Sequence, residues 1–92
     1  MSIDEHSYQV LQQLQNLSKD KLIVGRNLVK AGLKNHTINK VIISLDCETK
    51  YVAEIVRLCS EHRIEWIGID DSQALGKAVG IDVRCLCVGI TQ

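Results

Sequence analysis

The chain has 92 residues, 46% of them hydrophobic, with eleven basic and eleven acidic residues, four cysteines and no proline. That length suits one compact domain with a single core, burying roughly 60–65% of the surface its unfolded form exposes. The balanced charge argues against indiscriminate polyanion binding. No stretch approaches the roughly 18 apolar residues of a membrane-spanning helix, and the opening S-I-D-E-H-S-Y lacks the basic and apolar regions of a signal peptide, so a soluble intracellular protein is expected.

Residues 4 to 17 place Tyr8, Val10, Leu11, Leu14 and Leu17 near helical spacing, with Ser2 or Asp4 as N-cap, and predict an amphipathic first helix. Lys21 to Val24 is a short apolar run that reads as a strand. Gly25 then opens a second helix, with Leu28, Val29 and Leu33 expected inward and Arg26, Lys30 and Lys34 outward. V-I-I-S-L from Val41 is β-branched and apolar on both faces, as a central strand covered on each side requires, and Asp46 ends it. A third helix is expected from about Lys50 to His62, with Val52, Ile55, Val56 and Cys59 as its buried stripe. The strand I-E-W-I-G-I follows, then Asp70, Asp71 and Ser72 as caps of a short fourth helix to Val79, and a last strand from Val83 to Ile90. The alternation αβαβαβαβ with doubly apolar strands predicts an α/β fold, a mixed four-stranded sheet between two helical layers. With no linker or repeat, residues 1–92 read as one domain.

Between Lys19 and Lys40 stand six cations (Lys19, Lys21, Arg26, Lys30, Lys34, Lys40) and one anion, Asp20, a local excess of five positive charges. Gly25 starts a helix directly after a strand, so its free backbone N–H groups and the nearby cations suit a phosphate. G-K-A-V-G-I-D-V, residues 76 to 83, puts one turn of helix between two glycines; Gly80 can take positive φ, and the tight loop exposes backbone and an apolar tip fit to meet an unstacked base. A zinc site from Cys47, Cys59, Cys85 and Cys87 is disfavoured, because a C-x-C pair on a buried strand lacks the looped C-x-x-C of structural zinc knuckles. Reduced, buried thiols acting as small hydrophobes account for them better. His6, His36 and His62 are scattered and give no catalytic pairing with a cysteine, so no enzyme, metal or cofactor is expected. His62 and Arg63 are expected to complement the end of the third helix.

Gly25-x-Asn27 opening a helix, Asp46 closing the central strand, and G-K-A-V-G-I-D-V before the last strand resemble the kink-turn-binding ribosomal protein superfamily of small RNA-binding α/β/α sandwiches, over about residues 8 to 90. Within it, Cys47, Glu48, Tyr51-Val52, Leu58-Cys59-Ser60-Glu61-His62, Asp70-Asp71 and Cys85-Leu86-Cys87-Val88 are similar to the signature of the eukaryotic small-subunit ribosomal protein twelve family, in a shortened form. Leu28 and Ala31 stand where members that grip kink-turns tightly carry Glu and Lys.

The resemblance implies a structural constituent of the small ribosomal subunit, cytoplasmic, binding rRNA in the head region as a monomer within the particle, beside neighbouring ribosomal proteins and away from membranes. The alternative is a free-standing kink-turn RNA-binding protein of an RNA-protein particle. Duplex RNA hides its base edges in a deep groove, so phosphates, 2′-hydroxyls and distorted bases are what a small protein reads. Arg26, Lys30 and Lys34 would meet phosphates and Asn27 a base edge or 2′-hydroxyl. Gly25 opens that helix. Gly80, Ile81, Asp82 and Val83 would pack on a bulged nucleotide beside Arg84, with Lys50 and Lys77 widening the rim. A protein-binding adaptor is a third reading, opposed by the basic 19–40 segment, and a cysteine redox enzyme a fourth, which would need an exposed low-pKa thiol.

Overall fold

The computed structural model describes residues 5–91. In chain order the elements are α1 (Glu5–Asn16), a 3-10 turn (Lys19–Lys21), β1 (Leu22–Val24), α2 (Arg26–Lys34), β2 (Ile38–Ser44), α3 (Thr49–Glu61), β3 (Glu65–Ile69), α4 (Ser72–Ala78) and β4 (Cys87–Thr91). The predicted alternation is therefore present; the caps proposed at Ser2 or Asp4 lie outside the described residues. The sheet order is β1-β4-β2-β3, with β2 and β3 parallel and β4 antiparallel to both its neighbours.

The strand pattern decides the layering. Ile42 packs with Val10, Leu11 and Leu14 of α1 and Leu75 of α4, whereas Val41 and Ile43 pack with Val29 and Leu33 of α2 and Ile55 and Cys59 of α3. Successive side chains of a strand point to opposite faces, so a run apolar at every position demands cover on both sides. Ile38 would share a face with Ile42 by simple alternation, but an irregularity between Ile38 and Lys40 turns it toward α2. There it wedges between two glycines: a Cβ on Gly32 or on Gly89 would stand 2.6 Å from Ile38 Cδ1.

Three expectations are corrected. Tyr8 and Leu28 face solvent, 55% and 62% exposed, because Ser7 and Val29 hold the inward positions of their turns. On α3, Leu58 joins Ile55 and Cys59 in the core, while Val52 and Val56 are only partly buried. The last strand begins at Cys87 and not at Val83. Residues 83–86 instead bend over α4, where Cys85 N–H donates to Ser72 O (3.0 Å) and the Val83 carbonyl abuts Gly76.

Helices α2, α3 and α4 end alike. An N–H bonds back five residues (Thr37 to Gly32, Ile64 to Cys59, Ile81 to Gly76), around a left-handed residue at His36, Arg63 and Gly80 (φ 61°, 57° and 84°). At α4 the N-cap is Asp71, whose Oδ1 accepts from Ala74 N–H at 3.0 Å.

Candidate nucleic-acid interface

The sheet register assembles one end of the molecule from segments far apart in sequence. Val24 lies beside Val88, Ile43 beside Cys87, and Ser44 beside Ile69. Gly25, Leu45-Asp46, Asp70 and Leu86 therefore emerge at the same edge. Gly25 N–H donates to Cys87 O (3.1 Å), Ser44 N–H to Leu86 O (2.8 Å) and Leu45 N–H to Ile69 O (2.7 Å), tying these segments together.

Gly25, at φ 104° and ψ 156°, occupies backbone space that essentially only glycine enters. No side chain caps α2, and helical geometry leaves its first N–H groups without intrahelical acceptors. Together with the helix dipole they favour an anion at this end. Asn27 and Leu28 are exposed beside them.

Arg26 lies over the Tyr51 ring, 4.4 Å from its centroid, and Lys50 Nζ approaches the same ring at 5.0 Å. The α2 cations are not simply solvated. Glu54 of α3 reaches Lys30 Nζ at 3.2 Å and Arg26 at 3.6 Å, and its Oε1 is buried without a hydrogen bond. Lys40 pairs with Glu65 (3.6 Å) and Lys50 with Glu48 (3.8 Å). The positive excess along 19–40 is thus partly neutralised from other elements, a correction to the basic-face expectation. Lys34 sits in the last turn of α2, about 12 Å along the axis from Arg26 at about 1.5 Å per residue, away from this edge.

Arg84 is held by a polar clamp. Its Nε donates to Ser72 Oγ (2.7 Å) and Nη2 to Asp46 Oδ2 (3.1 Å), while the Ser72 N–H and hydroxyl both donate to Asp46. Burial pushes the Asp46 carboxyl upward, but the hydrogen bonds from Ser72 and Arg84 outweigh it and hold the group below the ordinary carboxylate range. Arg84 keeps 58% of its side chain exposed, so a cation is positioned without being consumed. It divides two hollows. One, of about 360 Å³, is lined by Asp46, Cys47, Glu48, Tyr51 and Leu86. The other, about 720 Å³, is lined by Gln73, Lys77, Ile81, Asp82 and Val83.

The structure therefore brings together Gly25, Arg26, Asn27, Lys30, Lys50 and Arg84 at one edge, with Lys77 and residues 80–83 around the adjoining groove. The loop before β4 is shaped by Gly80 at positive φ and by Gly76, whose bare Cα admits the Val83 carbonyl.

A model of the Ribosomal protein L7Ae/L30e/S12e/Gadd45 family matches residues 6–92. The chain belongs to this family. A relative described as an RNA-binding protein of Bacillus pumilus is 26% identical over 84 residues, covering 91% of this chain and 96% of its own length. RNA-binding protein BH0128 of Halalkalibacterium halodurans is 30% identical over 69 residues, covering 75% and 84%. Among solved structures, a 15.5 kD RNA-binding protein of Giardia lamblia superposes with a TM-score of 0.89 at 20% identity, over 100% of this chain and 78% of that one. A Bacillus halodurans protein described as of unknown function gives 0.79 at 23%, over 89% and 84%. These two superpositions show the L7Ae-type fold, as the sequence resemblance implied.

Sequence reasoning misses the residues that position this edge. Glu54 carries no motif, Ser72 reads only as a cap and Asp46 only as a strand end. Their roles depend on partners 12 to 38 positions away. The cysteines behave as small hydrophobes: Cys59, Cys85 and Cys87 are buried, and burial pushes the first two thiols up to about 11 and the third to about 12. Cys85 belongs to the α1/α4 core and Cys87 to the α2/α3 core, so the C-x-C pair does not project from one face of a strand as its spacing alone would imply. Among the described residues no group of three or more His, Cys, Asp and Glu side chains is placed to hold a metal ion.

Proposed function

We propose that this L7Ae-family chain is a free-standing RNA-binding protein that grips structured RNA at the edge formed by Gly25–Leu28, the Asp46–Tyr51 segment and the 80–84 loop. The observation that carries the reading is the convergence there of an uncapped helix N-terminus, two exposed apolar side chains (Leu28, 62%, and Val83, 67%) and the clamped cation Arg84. Phosphates suit the N–H groups and Arg84, and an unpaired base suits the apolar tips. The free-standing setting is supported by the two relatives, described only as RNA-binding proteins, of which the match spans 96% and 84% of the length. No reaction is involved.

Leu28 gives a base apolar contact and no acceptor, so recognition of a bulged nucleotide rests on shape and stacking more than on hydrogen bonds to paired purines. Fluorescence anisotropy with a kink-turn RNA and with an uninterrupted duplex of equal length tests this. Preference for the kink-turn, lost in Leu28→Asp and Val83→Asp, is expected; equal affinity for both RNAs would refute it.

A second reading places the chain in the small ribosomal subunit on rRNA, beside ribosomal proteins in the cytoplasm. It is supported by the motifs shared with the small-subunit protein twelve family, from Cys47-Glu48 to Cys85-Leu86-Cys87-Val88. Sucrose-gradient sedimentation of a lysate separates the two. Stoichiometric presence in the small subunit after a moderate salt wash selects the ribosomal setting, and presence only in light fractions selects the free-standing one.

A further inference from the structure

We infer that the seam between α1 and α4 is a second RNA-binding track, taking a single-stranded segment that leaves the gripped RNA beside the 80–84 loop; the inference rests on the proposed RNA-binding reading. Most cations around the gripping edge already have a carboxylate partner. Arg26 and Lys30 are engaged by Glu54, Lys50 by Glu48 and Arg84 by Asp46. Beside the 80–84 loop two cations have no carboxylate partner among the described residues, Lys19 and Lys77. Both lie on the α1/α4 side. A Cβ on Gly80 would stand 3.0 Å from Lys19 Nζ, and Lys77 lines the 720 Å³ groove with Arg84.

Lys77 also lines a second hollow, about 250 Å³, with Tyr8, Gln12 and Gln15 of α1. The two hollows share this lysine, so the α1 hollow adjoins the loop groove across one side chain. Tyr8 is 55% exposed at that point, and Gln12 Nε2 donates to its hydroxyl (2.8 Å), fixing the ring's polar end. An exposed aromatic ring next to unpaired cations is the combination that binds single strands: bases stack on the ring and phosphates follow the charge, with little regard to sequence. Asp82 is the one anion lining the loop groove, against the two cations Lys77 and Arg84. A duplex offers no unstacked base to Tyr8, so the segment taken is single-stranded.

The test uses the full chain, a kink-turn RNA with blunt stems, and the same RNA carrying eight-nucleotide single-stranded tails on both stems. The tailed RNA is expected to bind wild-type protein about tenfold more tightly. Tyr8→Ala combined with Lys19→Ala should abolish that gain, and Tyr8→Ala alone, on α1 away from the gripping edge, should reduce it and leave affinity for the blunt RNA within twofold. The log–log salt slope for the tailed RNA should also become shallower by about 0.7 for each phosphate that the variant no longer neutralises. Equal affinity of wild-type protein for both RNAs, or a tail gain that survives in the double variant, would overturn the track while leaving the gripping edge intact. Failure of wild-type protein to bind the blunt RNA would instead overturn the RNA-binding reading, and the track with it.

Discussion

Replacing Gly76 with alanine separates the shape of the loop from its composition. The added Cβ would stand 2.0 Å from the Val83 carbonyl oxygen and 3.2 Å from its carbon, both backbone atoms. No rotamer change relieves such a clash, so the 81–84 segment has to retreat by at least about 1 Å to reach the 3.0 Å below which Cβ atoms essentially never approach a neighbour. Overpacking of this kind costs about 1–3 kcal/mol. Alanine's better helix propensity returns up to about 1 kcal/mol. A backbone clash this close falls in the upper half of that range, about 2–3 kcal/mol, so with about 1 kcal/mol returned the net is a loss of about 1–2 kcal/mol, or about 5–15 °C in Tm for a chain of this size. The retreat moves Ile81, whose N–H donates to Gly76 O at 3.0 Å, and carries Val83 and Arg84 with it. Affinity for a kink-turn RNA should fall about tenfold or more. Calorimetry and amide chemical shifts check the two parts, and an unchanged Tm with unshifted signals for Ile81 to Arg84 would refute the argument.

Other outcomes follow from particular side chains. Gly25→Ala has free space around its Cβ but not an allowed backbone conformation, so it should cost about 1–3 kcal/mol by denaturant titration, with RNA affinity reduced as the start of α2 rearranges. Asp46→Asn weakens the bonds from Ser72 and Arg84 and should lower stability by about 1–2 kcal/mol, discounted for partial exposure. Because the folded-state pKa of Asp46 lies below its unfolded value, its contribution is complete above about pH 4 and is lost as pH falls through the folded value. The wild-type minus variant stability difference should therefore shrink on acidification, and a constant difference from pH 6 to 3 would contradict this. Thiol titration at pH 8 should modify Cys47 alone in native protein and all four cysteines after unfolding. Glu54→Gln frees Arg26 and Lys30, so RNA binding should tighten at low salt and its salt slope steepen by about 0.7–0.9 for each further phosphate neutralised.

What the sequence discloses depends on whether the cause is local. β2 is readable because cover on both faces writes an unbroken apolar run, Val41 to Ile43. Gly80 is readable because a glycine after a helix marks a left-handed stop, yet His36 and Arg63 do the same work without that mark. Val83 to Leu86 has a strand's composition, but α4 holds it in a loop through Gly76 and Ser72, and nothing within the segment records that. Leu28 sits next to Val29, and periodicity alone cannot say which of two adjacent apolar residues turns inward. At the candidate interface, glycines and the basic run mark segments that the fold brings to one edge, whereas the counter-charges Glu54 and Asp46 act across the fold and stay invisible until it closes.

The position of β4 has a consequence for when the protein becomes competent. Among the described residues β4, the strand latest in chain order, lies between β1 and β2, and β1 pairs with no other strand. Before residues 87–91 are available, β2 and β3 can pair and α1 can meet Ile42 and α4, but β1 has no strand to pair with, and Gly25 lacks the Cys87 carbonyl that receives its N–H. A growing polypeptide therefore leaves β1 without a strand partner until residues 87–91 have been made. Such long-range closure slows folding relative to local pairing. The candidate edge and the completed sheet arise in the same step, so a partly made chain lacks the arranged surface that the folded protein presents.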